Sequence, residues 1–142
     1  MDKGRINIDY ASQDCLDFLI VHDHYVTGDV MEKKVQNGEV IIARGCNNII
    51  GWLRFGYFWD QIPFMNMLFI FEGFRGKGIG TELVRFWEEE MLKKGFKMVL
   101  TSTLSNETAQ HFYRKLGYKD SGCLLLEGEP SLEIILRKEL IK

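Results

Sequence analysis

Ten residues in the middle of the chain decide its fold: Glu72-Gly73-Phe74-Arg75-Gly76-Lys77-Gly78-Ile79-Gly80-Thr81. The run Phe64–Phe71 before them is apolar at both alternating sets of positions, which is typical of a strand buried on both faces. A strand, a glycine-rich turn and a helix start together suit phosphate binding. Glycine lets the backbone approach an anion, and the first amides of a helix have no intrahelical acceptor. The stretch therefore predicts a phosphate-containing ligand at the turn.

The segment after the turn shows the clearest helical pattern in the chain. One apolar stripe at helical spacing is formed by Ile79, Leu83, Phe86, Trp87 and Met91. The polar residues assigned to the opposite, solvent-facing side are Glu82, Arg85, Glu88, Glu89 and Lys93. We therefore predict one long amphipathic helix directly after the glycine turn, with Gly95 just past its end.

Periodicity and turn residues place the remaining elements. Strands are predicted around Ile6 and Ile8 and at Val40–Arg44, Ile49–Phe58, Phe64–Phe71, Lys97–Thr103, Lys119–Leu126 and Ser131–Arg137, with Gly128-Glu129-Pro130 between the last two. Two short helices precede Gly38, with Ser12 and Asp29 as candidate N-caps, and a last helix follows Asn106. This order predicts a single α+β (α/β) domain over residues 1–142. Its sheet is mixed and mostly antiparallel, with six or seven strands and about four flanking helices.

Composition describes an ordinary globular protein. The 142 residues are 46% hydrophobic and 27% charged, with a net charge of −2. This balance gives no electrostatic reason to expect nucleic acid or an anionic membrane as a partner. The cysteines Cys15, Cys46 and Cys123 lack metal-ligand spacing, and the N-terminus lacks the apolar run of a signal peptide. We expect a cytoplasmic monomer or homodimer without a bound metal.

Two well-known phosphate motifs do not fit the glycine turn. A P-loop read from Gly73 places its second glycine correctly at Gly78, but Ile79 then occupies the lysine position. A dinucleotide fingerprint read from Gly76 requires a third glycine where Thr81 stands. The acidic residue expected about twenty positions later is also missing. The spacing that does fit is Arg-x-x-Gly-x-Gly.

Two segments carry a resemblance to a known family. Arg75, Gly78 and Gly80 fill the Arg-x-x-Gly-x-Gly spacing, and this stretch resembles the acetyl-CoA-binding signature of the GNAT superfamily of N-acetyltransferases. The segment Asn106–Tyr118 is similar to the family's Asn-x-x-Ala-x-x-Phe-Tyr-x-Lys-x-Gly-Phe/Tyr pattern. The resemblance extends from about Val40 to the C-terminus. It implies a GNAT-like fold and acetyl-CoA as co-substrate, and an enzyme that transfers an acetyl group directly to a primary amine in a ternary complex.

The resemblance also implies roles for individual residues. The pyrophosphate of acetyl-CoA is expected on the turn formed by Arg75, Gly76, Lys77, Gly78, Ile79, Gly80 and Thr81. In the family the fourth strand splays from the fifth, which leaves backbone groups at Leu68, Phe69 and Ile70 to bind the pantetheine arm and polarise the thioester. Asn106 matches an asparagine that contacts the pantetheine, and it also suits a helix N-cap. Tyr113 matches the tyrosine that protonates the leaving thiolate.

The general base is where the sequence departs from the family pattern. Related peptide N-terminus acetyltransferases have a glutamate five residues before the motif asparagine, and Thr101 stands there in this chain. The amine proton is then left to water, to Asp60 or to a carboxylate before Gly38. Because no base is evident, a CoA-binding sensor or interaction module without catalysis is kept as an alternative.

The acceptor is identified only as a small-molecule or peptide amine. Trp52, Arg54, Gly56 and Phe58 share one strand face, with Asn66 on the next strand, and they are candidates for an acceptor pocket. Arg54 in mid-strand indicates either a solvated face or an anionic group on the acceptor. His22 and His24 are two residues apart, so they do not share a helix face, and a metal site is not expected there.

Overall fold

A computed structural model describes residues 5–128 and 131–141. Its elements are β1 (Ile6–Tyr10), α1 (Leu16–His22), α2 (Gly28–Gln36), β2 (Val40–Gly45), β3 (Asn48–Phe58), β4 (Ile62–Ile70), α3 (Ile79–Lys93), β5 (Met98–Leu104), α4 (Ala109–Lys115), β6 (Lys119–Leu124) and β7 (Glu133–Glu139). The strands form a seven-stranded sheet in the order β1-β2-β3-β4-β5-β7-β6. The predicted α+β class, with a mixed, mostly antiparallel sheet and four α-helices, is confirmed. Glu129 and Pro130, predicted in the turn before β7, lie outside the described residues.

The chain divides into two compact units. The first comprises Met1–Phe55 with Met67–Trp87, and the second comprises Gly56–Asn66 with Glu88–Lys142.

The core of the first unit lies where α1 and α2 cover β2 and β3. Leu19 from α1 and Met31 from α2 are fully buried in a cluster with Trp52 of β3. A short 3-10 helix separates the predicted cap, Ser12, from α1, so Ser12 does not cap that helix. The N-cap of α2 is Thr27, whose side chain accepts from the Val30 N–H, and not the predicted Asp29.

The second unit is built on β5, β7 and β6. Strand β7 pairs with both of its neighbours in antiparallel register, and its Leu136 is fully buried. Strand β6, at the edge of the sheet, is exposed at every residue and carries an irregularity between Asp120 and Gly122. This edge therefore contributes side chains to the surface and few to the core.

Helix α3 confirms most of the predicted stripe and corrects one residue. Ile79, Leu83, Trp87 and Met91 are buried, but Glu88, which was predicted on the solvent side, is buried as well. Position 88 lies three residues before Met91, so it belongs to the buried stripe of a 3.6-residue helix. A carboxylate is accommodated there because it has two partners in the second unit.

The partners of Glu88 are a phenol and an ammonium group. The Tyr118 hydroxyl donates to Glu88 Oε2 at 2.8 Å, and Lys138 Nζ donates to Oε1 at 2.9 Å. Burial, followed by the Glu88 charge, raises the pKa of Tyr118, so the phenol stays protonated and remains a donor. The three groups satisfy one another's hydrogen bonds.

Replacing Glu88 with alanine should lower the free energy of unfolding by about 2–4 kcal/mol, because Tyr118 and Lys138 lose their buried acceptor. Glu89→Ala is the matched control, since Glu89 is exposed on the same helix. Urea denaturation of both variants measures the difference. Equal stability of the two would contradict the burial assigned to Glu88.

Candidate active site

The glycine turn joins β4 to α3 and is open to solvent. Residues 72–78 are all exposed, and Gly76 and Gly78 have φ angles of 76° and 84°, a left-handed conformation that side chains disfavour. A Cβ built at either glycine meets no atom within 4 Å. The two glycines are therefore required by backbone conformation, and the space above them is free for a ligand.

Donors of positive character surround this turn. The first bond of α3 runs from the Glu82 N–H to the Gly78 carbonyl, so the preceding amides have no helical acceptor. Arg75 Nε donates to the Ile70 carbonyl at 2.7 Å, which leaves the terminal guanidinium nitrogens as the other N–H donors of that side chain. Lys77 lies over the Phe74 ring. Two cationic side chains beside the N-terminus of a helix are groups that can bind an anion such as a pyrophosphate.

The end of β4 has a fixed orientation of its backbone groups. The Phe71 N–H donates to the Ile50 carbonyl of β3. Because N–H and C=O groups alternate sides along a strand, the backbone of Phe69 also points toward β3. Leu68 and Ile70 therefore direct their backbone groups away from β3, and the Ile70 carbonyl is the one that accepts from Arg75.

Close contact between β3 and β4 enforces this arrangement. A Cβ at Gly51 would lie 2.7 Å from the Phe69 carbonyl oxygen and 2.6 Å from Ile70 Cδ1. No other residue type fits there without moving the backbone of β4. Gly51 thus holds β4 against β3 at the segment for which substrate contacts are predicted.

Tyr113 of α4 is a buried phenol in the second unit. Burial raises the pKa of Tyr113 to about 12, the charge of Glu107 adds to this, and its hydrogen-bond partner Thr101 opposes it. The Thr101 hydroxyl of β5 donates to the Met65 carbonyl at 3.0 Å. Tyr113 therefore keeps its proton at neutral pH.

Asn106 precedes α4 in the turn after β5. The helix begins at Ala109 with Thr108 at the N-cap position, so the prediction that Asn106 caps this helix is wrong. Glu107 orders the turn, because its carboxylate accepts from the Leu104 N–H and the Thr103 hydroxyl. The Asn106 side chain is exposed and is thereby available to a ligand.

Arg54 has a structural role in the first unit. Its guanidinium donates to Asp23 through Nε at 2.9 Å and Nη2 at 3.4 Å, and Trp52 Nε1 donates to the same carboxylate at 3.3 Å. The Asp23 side chain is fully buried and also accepts from the Tyr25 N–H. Neither sequence interpretation of Arg54, a solvated face or a contact with the acceptor, is correct. The ion pair fastens the segment after α1 to β3.

A cavity of about 660 Å³ lies in the second unit. Phe58 and Asn66, two of the predicted acceptor-pocket residues, line it, whereas Trp52 is in the core of the first unit. Tyr57, Trp59 and Phe64 add further aromatic surface. The sequence therefore identified part of a real concave site.

Histidines and metal ligands form no cluster in residues 5–128 and 131–141. His24 Nε2 is within 2.9 Å of the Val21 carbonyl, and the His22 ring lies against Phe18 and Phe71. In the same ranges, no helix has the length and apolar character needed to cross a membrane.

Comparison with known sequences decides the family. The profile described as Acetyltransferase (GNAT) family matches residues 10–118, which include both the glycine turn and the Asn106–Tyr118 segment. The chain belongs to the GNAT acetyltransferase family. It is accordingly an enzyme of the acetyltransferase class. A comparison with curated protein sequences gave no match.

Solved structures share the fold of this GNAT chain. A GNAT acetyltransferase from Bacillus cereus is 24% identical with a TM-score of 0.80, covering 98% of this chain and all of the other. Aminoglycoside 6'-N-acetyltransferase complexed with coenzyme A is 19% identical with a TM-score of 0.79, over 96% of this chain and 98% of its own. Arabidopsis thaliana Naa50 in complex with the bisubstrate analogue CoA-Ac-MVNAL is 17% identical with a TM-score of 0.74, over 94% of this chain and 97% of its own.

The site residues predicted for this GNAT chain fall in both units. The glycine turn and Leu68–Ile70 belong to the first unit, and Asn106 and Tyr113 belong to the second. Sequence reasoning missed Thr101 as the hydrogen-bond partner of Tyr113, because it considered Thr101 only as a base. A hydroxyl on a strand near a candidate acid is a weak signal, and the two residues are twelve positions apart in the sequence, so no local pattern connects them.

Replacing Gly51 with alanine should lower the free energy of unfolding by about 1–3 kcal/mol, because the added methyl collides with the Phe69 carbonyl. Gly73→Ala is the matched control, since a Cβ at Gly73 meets nothing within 4 Å. Denaturant midpoints of both variants test this. A Gly51→Ala variant as stable as Gly73→Ala would show that β4 is not held at this point.

Proposed function

We propose that this GNAT enzyme transfers the acetyl group of acetyl-CoA directly to a primary amine in a ternary complex. The observation that carries the proposal is the solvent-open glycine turn at the start of α3, flanked by Arg75 and Lys77. The aminoglycoside acetyltransferase of the same fold is known with coenzyme A, and Naa50 is known with a CoA–peptide analogue. Both are consistent with a CoA thioester donor and an amine acceptor.

The turn residues fit the phosphate end of this co-substrate. We assign the pyrophosphate to the backbone amides of Gly76–Thr81 and to the charges of Arg75 and Lys77. A β-branched side chain in place of Gly78 is incompatible with both its φ of 84° and the approach of an anion.

Backbone groups of β4 suit the pantetheine arm and the thioester carbonyl. Leu68 offers its N–H and C=O, and Ile70 offers its N–H, because these groups point away from β3. The backbone of Phe69 faces β3, so the substrate contact predicted for its backbone groups is not kept in this proposal; its ring packs on Trp52 and lies under the Arg75 guanidinium. One of the amides donates to the thioester oxygen and stabilises the negative charge that develops on it.

Tyr113 completes the reaction as general acid. The amine nitrogen forms a bond to the carbonyl carbon, the C–S bond breaks, and the departing thiolate takes the proton of the Tyr113 phenol. The nitrogen loses its extra proton to water, and solvent returns a proton to Tyr113. With its pKa raised to about 12, Tyr113 carries this proton across the whole physiological pH range.

Other residues are assigned by what their surroundings permit. Asn106, exposed before α4, contacts the pantetheine amides. Asp23 is unsuited to act as a base, since Arg54 and Trp52 occupy its buried carboxylate. The cytoplasmic location and the choice between monomer and homodimer stay predictions from the sequence.

The first test is Tyr113→Phe, which removes only the hydroxyl. We expect kcat to fall by about 100-fold or more, the usual contribution of a general acid, with acetyl-CoA affinity unchanged. Thiol release from acetyl-CoA across a panel of amines measures turnover, and calorimetry measures binding.

Tyr118→Phe is the matched control, because Tyr118 is also a buried tyrosine and its hydroxyl donates to Glu88. The Tyr118→Phe variant should have a lower free energy of unfolding than the wild type and an unchanged kcat. A kcat of Tyr113→Phe equal to that of the wild type would refute the general-acid assignment. Acetyl-CoA binding without turnover by the wild-type chain on any amine would favour the non-catalytic module instead.

The second test is Gly78→Val, which should abolish acetyl-CoA binding in calorimetry. Gly95→Val is its control, since Gly95 has a φ of 96° and equally open space but follows the far end of α3. Both variants carry backbone strain of roughly 1–2 kcal/mol, so stability should change alike. Undiminished binding by folded Gly78→Val would refute the phosphate assignment.

A further inference from the structure

We propose that the cavity of the second unit binds the acceptor, and that this acceptor is a primary amine attached to an apolar group that contains an aromatic ring. The inference rests on the proposed acetyl transfer and specifies its second substrate. The volume of about 660 Å³ lies in the range of pockets for small organic ligands.

Aromatic rings form one wall of the cavity. Phe58 lies 4.6 Å from Trp59 and 6.4 Å from Phe64, measured between ring centroids, and all three line the cavity. Met98, Leu100 and Ile135 line it as well. Surfaces of this kind bind apolar and aromatic groups through area burial and ring contacts.

The chemistry of the lining argues against a polycationic acceptor. Among the described residues that line the cavity, none is Asp, Glu, Lys, Arg or His, and the polar side chains are those of Tyr57, Trp59, Asn66, Ser121 and Cys123. Arg137, which is opposite Leu100 in the sheet, forms an ion pair with Glu139. A polyamine would lose its hydration here without gaining a carboxylate.

The backbone at Trp59 supports a role for its side chain. Trp59 and Asp60 have φ angles of 56° and 59° in the turn between β3 and β4, where Asn-Gly is the usual choice. A bulky residue is disfavoured in this conformation, yet Trp59 is 72% exposed and so gains little from core packing. Its ring is explained by contact with a ligand at the cavity.

The same lining favours the reactive form of an amine. An apolar site without carboxylates disfavours an ammonium ion, which lowers the pKa of a bound amine and frees its lone pair. Asn66, two residues before Leu68 on β4, offers a carboxamide oxygen to an amine N–H. The absence of an evident base in the sequence is consistent with an acceptor that deprotonates in this way.

Cys123 provides a direct test that does not depend on turnover. It is exposed and lines the cavity, whereas Cys46 is equally exposed in the turn after β2. At pH 7, 2-phenylethylamine at ten times its Kd should slow alkylation of Cys123 by iodoacetamide about tenfold, by mass action. Alkylation of Cys46 should be unchanged, and spermidine should protect neither cysteine.

Kinetics with the same probes test the selectivity. The kcat/KM for 2-phenylethylamine should exceed that for ethylamine by roughly 10- to 100-fold, the effect of burying one ring, and should exceed that for spermidine. Asn66→Asp adds a carboxylate at the cavity without changing its volume. It should lower the ratio of kcat/KM for 2-phenylethylamine to kcat/KM for spermidine by roughly threefold or more. Asn7→Asp, an exposed change in β1, should leave the ratio unaltered.

The outcomes separate this inference from the proposed function. Unchanged Cys123 alkylation at saturating 2-phenylethylamine, or better turnover of spermidine, would overturn the inference while acetyl-CoA binding stands. If alkylation of Cys123 without amine becomes slower as the protein concentration rises, the cavity is covered by a second copy of the chain. That result would also overturn the inference. Loss of the proposed function itself would show as no acetyl-CoA binding.

Discussion

The approach of β4 to β3 at Gly51 is the constraint on which the donor half of the site depends. With the Phe69 carbonyl held toward β3, strand alternation turns the backbone of Leu68 and Ile70 the other way. The Ile70 carbonyl then accepts from Arg75, which links the end of β4 to the glycine turn. One missing side chain on β3 therefore fixes which backbone groups of β4 point away from β3, the groups to which substrate contacts are assigned in the proposed function.

The chemistry proposed for this enzyme depends more on burial than on charge. Tyr113 keeps its proton because burial raises its pKa, and the cavity in the second unit favours a neutral amine because its described lining has no charged group. An apolar acceptor site reduces the need for a dedicated base, because it favours the neutral form of the amine. Thr101 stands where related peptide N-terminus acetyltransferases have a glutamate, and its hydroxyl donates to the Met65 carbonyl.

Local patterns predicted the fold and the glycine turn well, because strand and helix periods and glycine spacing are properties of neighbouring residues. The stripe of α3 and the turn at Gly76 and Gly78 are examples. Residues whose role depends on distant partners were misassigned. Arg54 is paired with Asp23, 31 positions away, and Glu88 with Lys138, 50 positions away. Periodicity does not report such pairs, so Glu88 was predicted on the solvent side and Arg54 either on a solvated face or against the acceptor.

The exposed edge strand β6 has a consequence for how this enzyme can change over evolutionary time. Ser121 and Cys123 line the cavity yet belong to a strand with no buried residue. Substitutions at such positions usually alter stability very little. With the acceptor in this cavity, as proposed, acceptor preference can change through single mutations in β6 that the fold tolerates, while the proposed donor site at Gly51 and the glycine turn stays fixed. Closely similar chains would then share one donor and differ in the amines they modify.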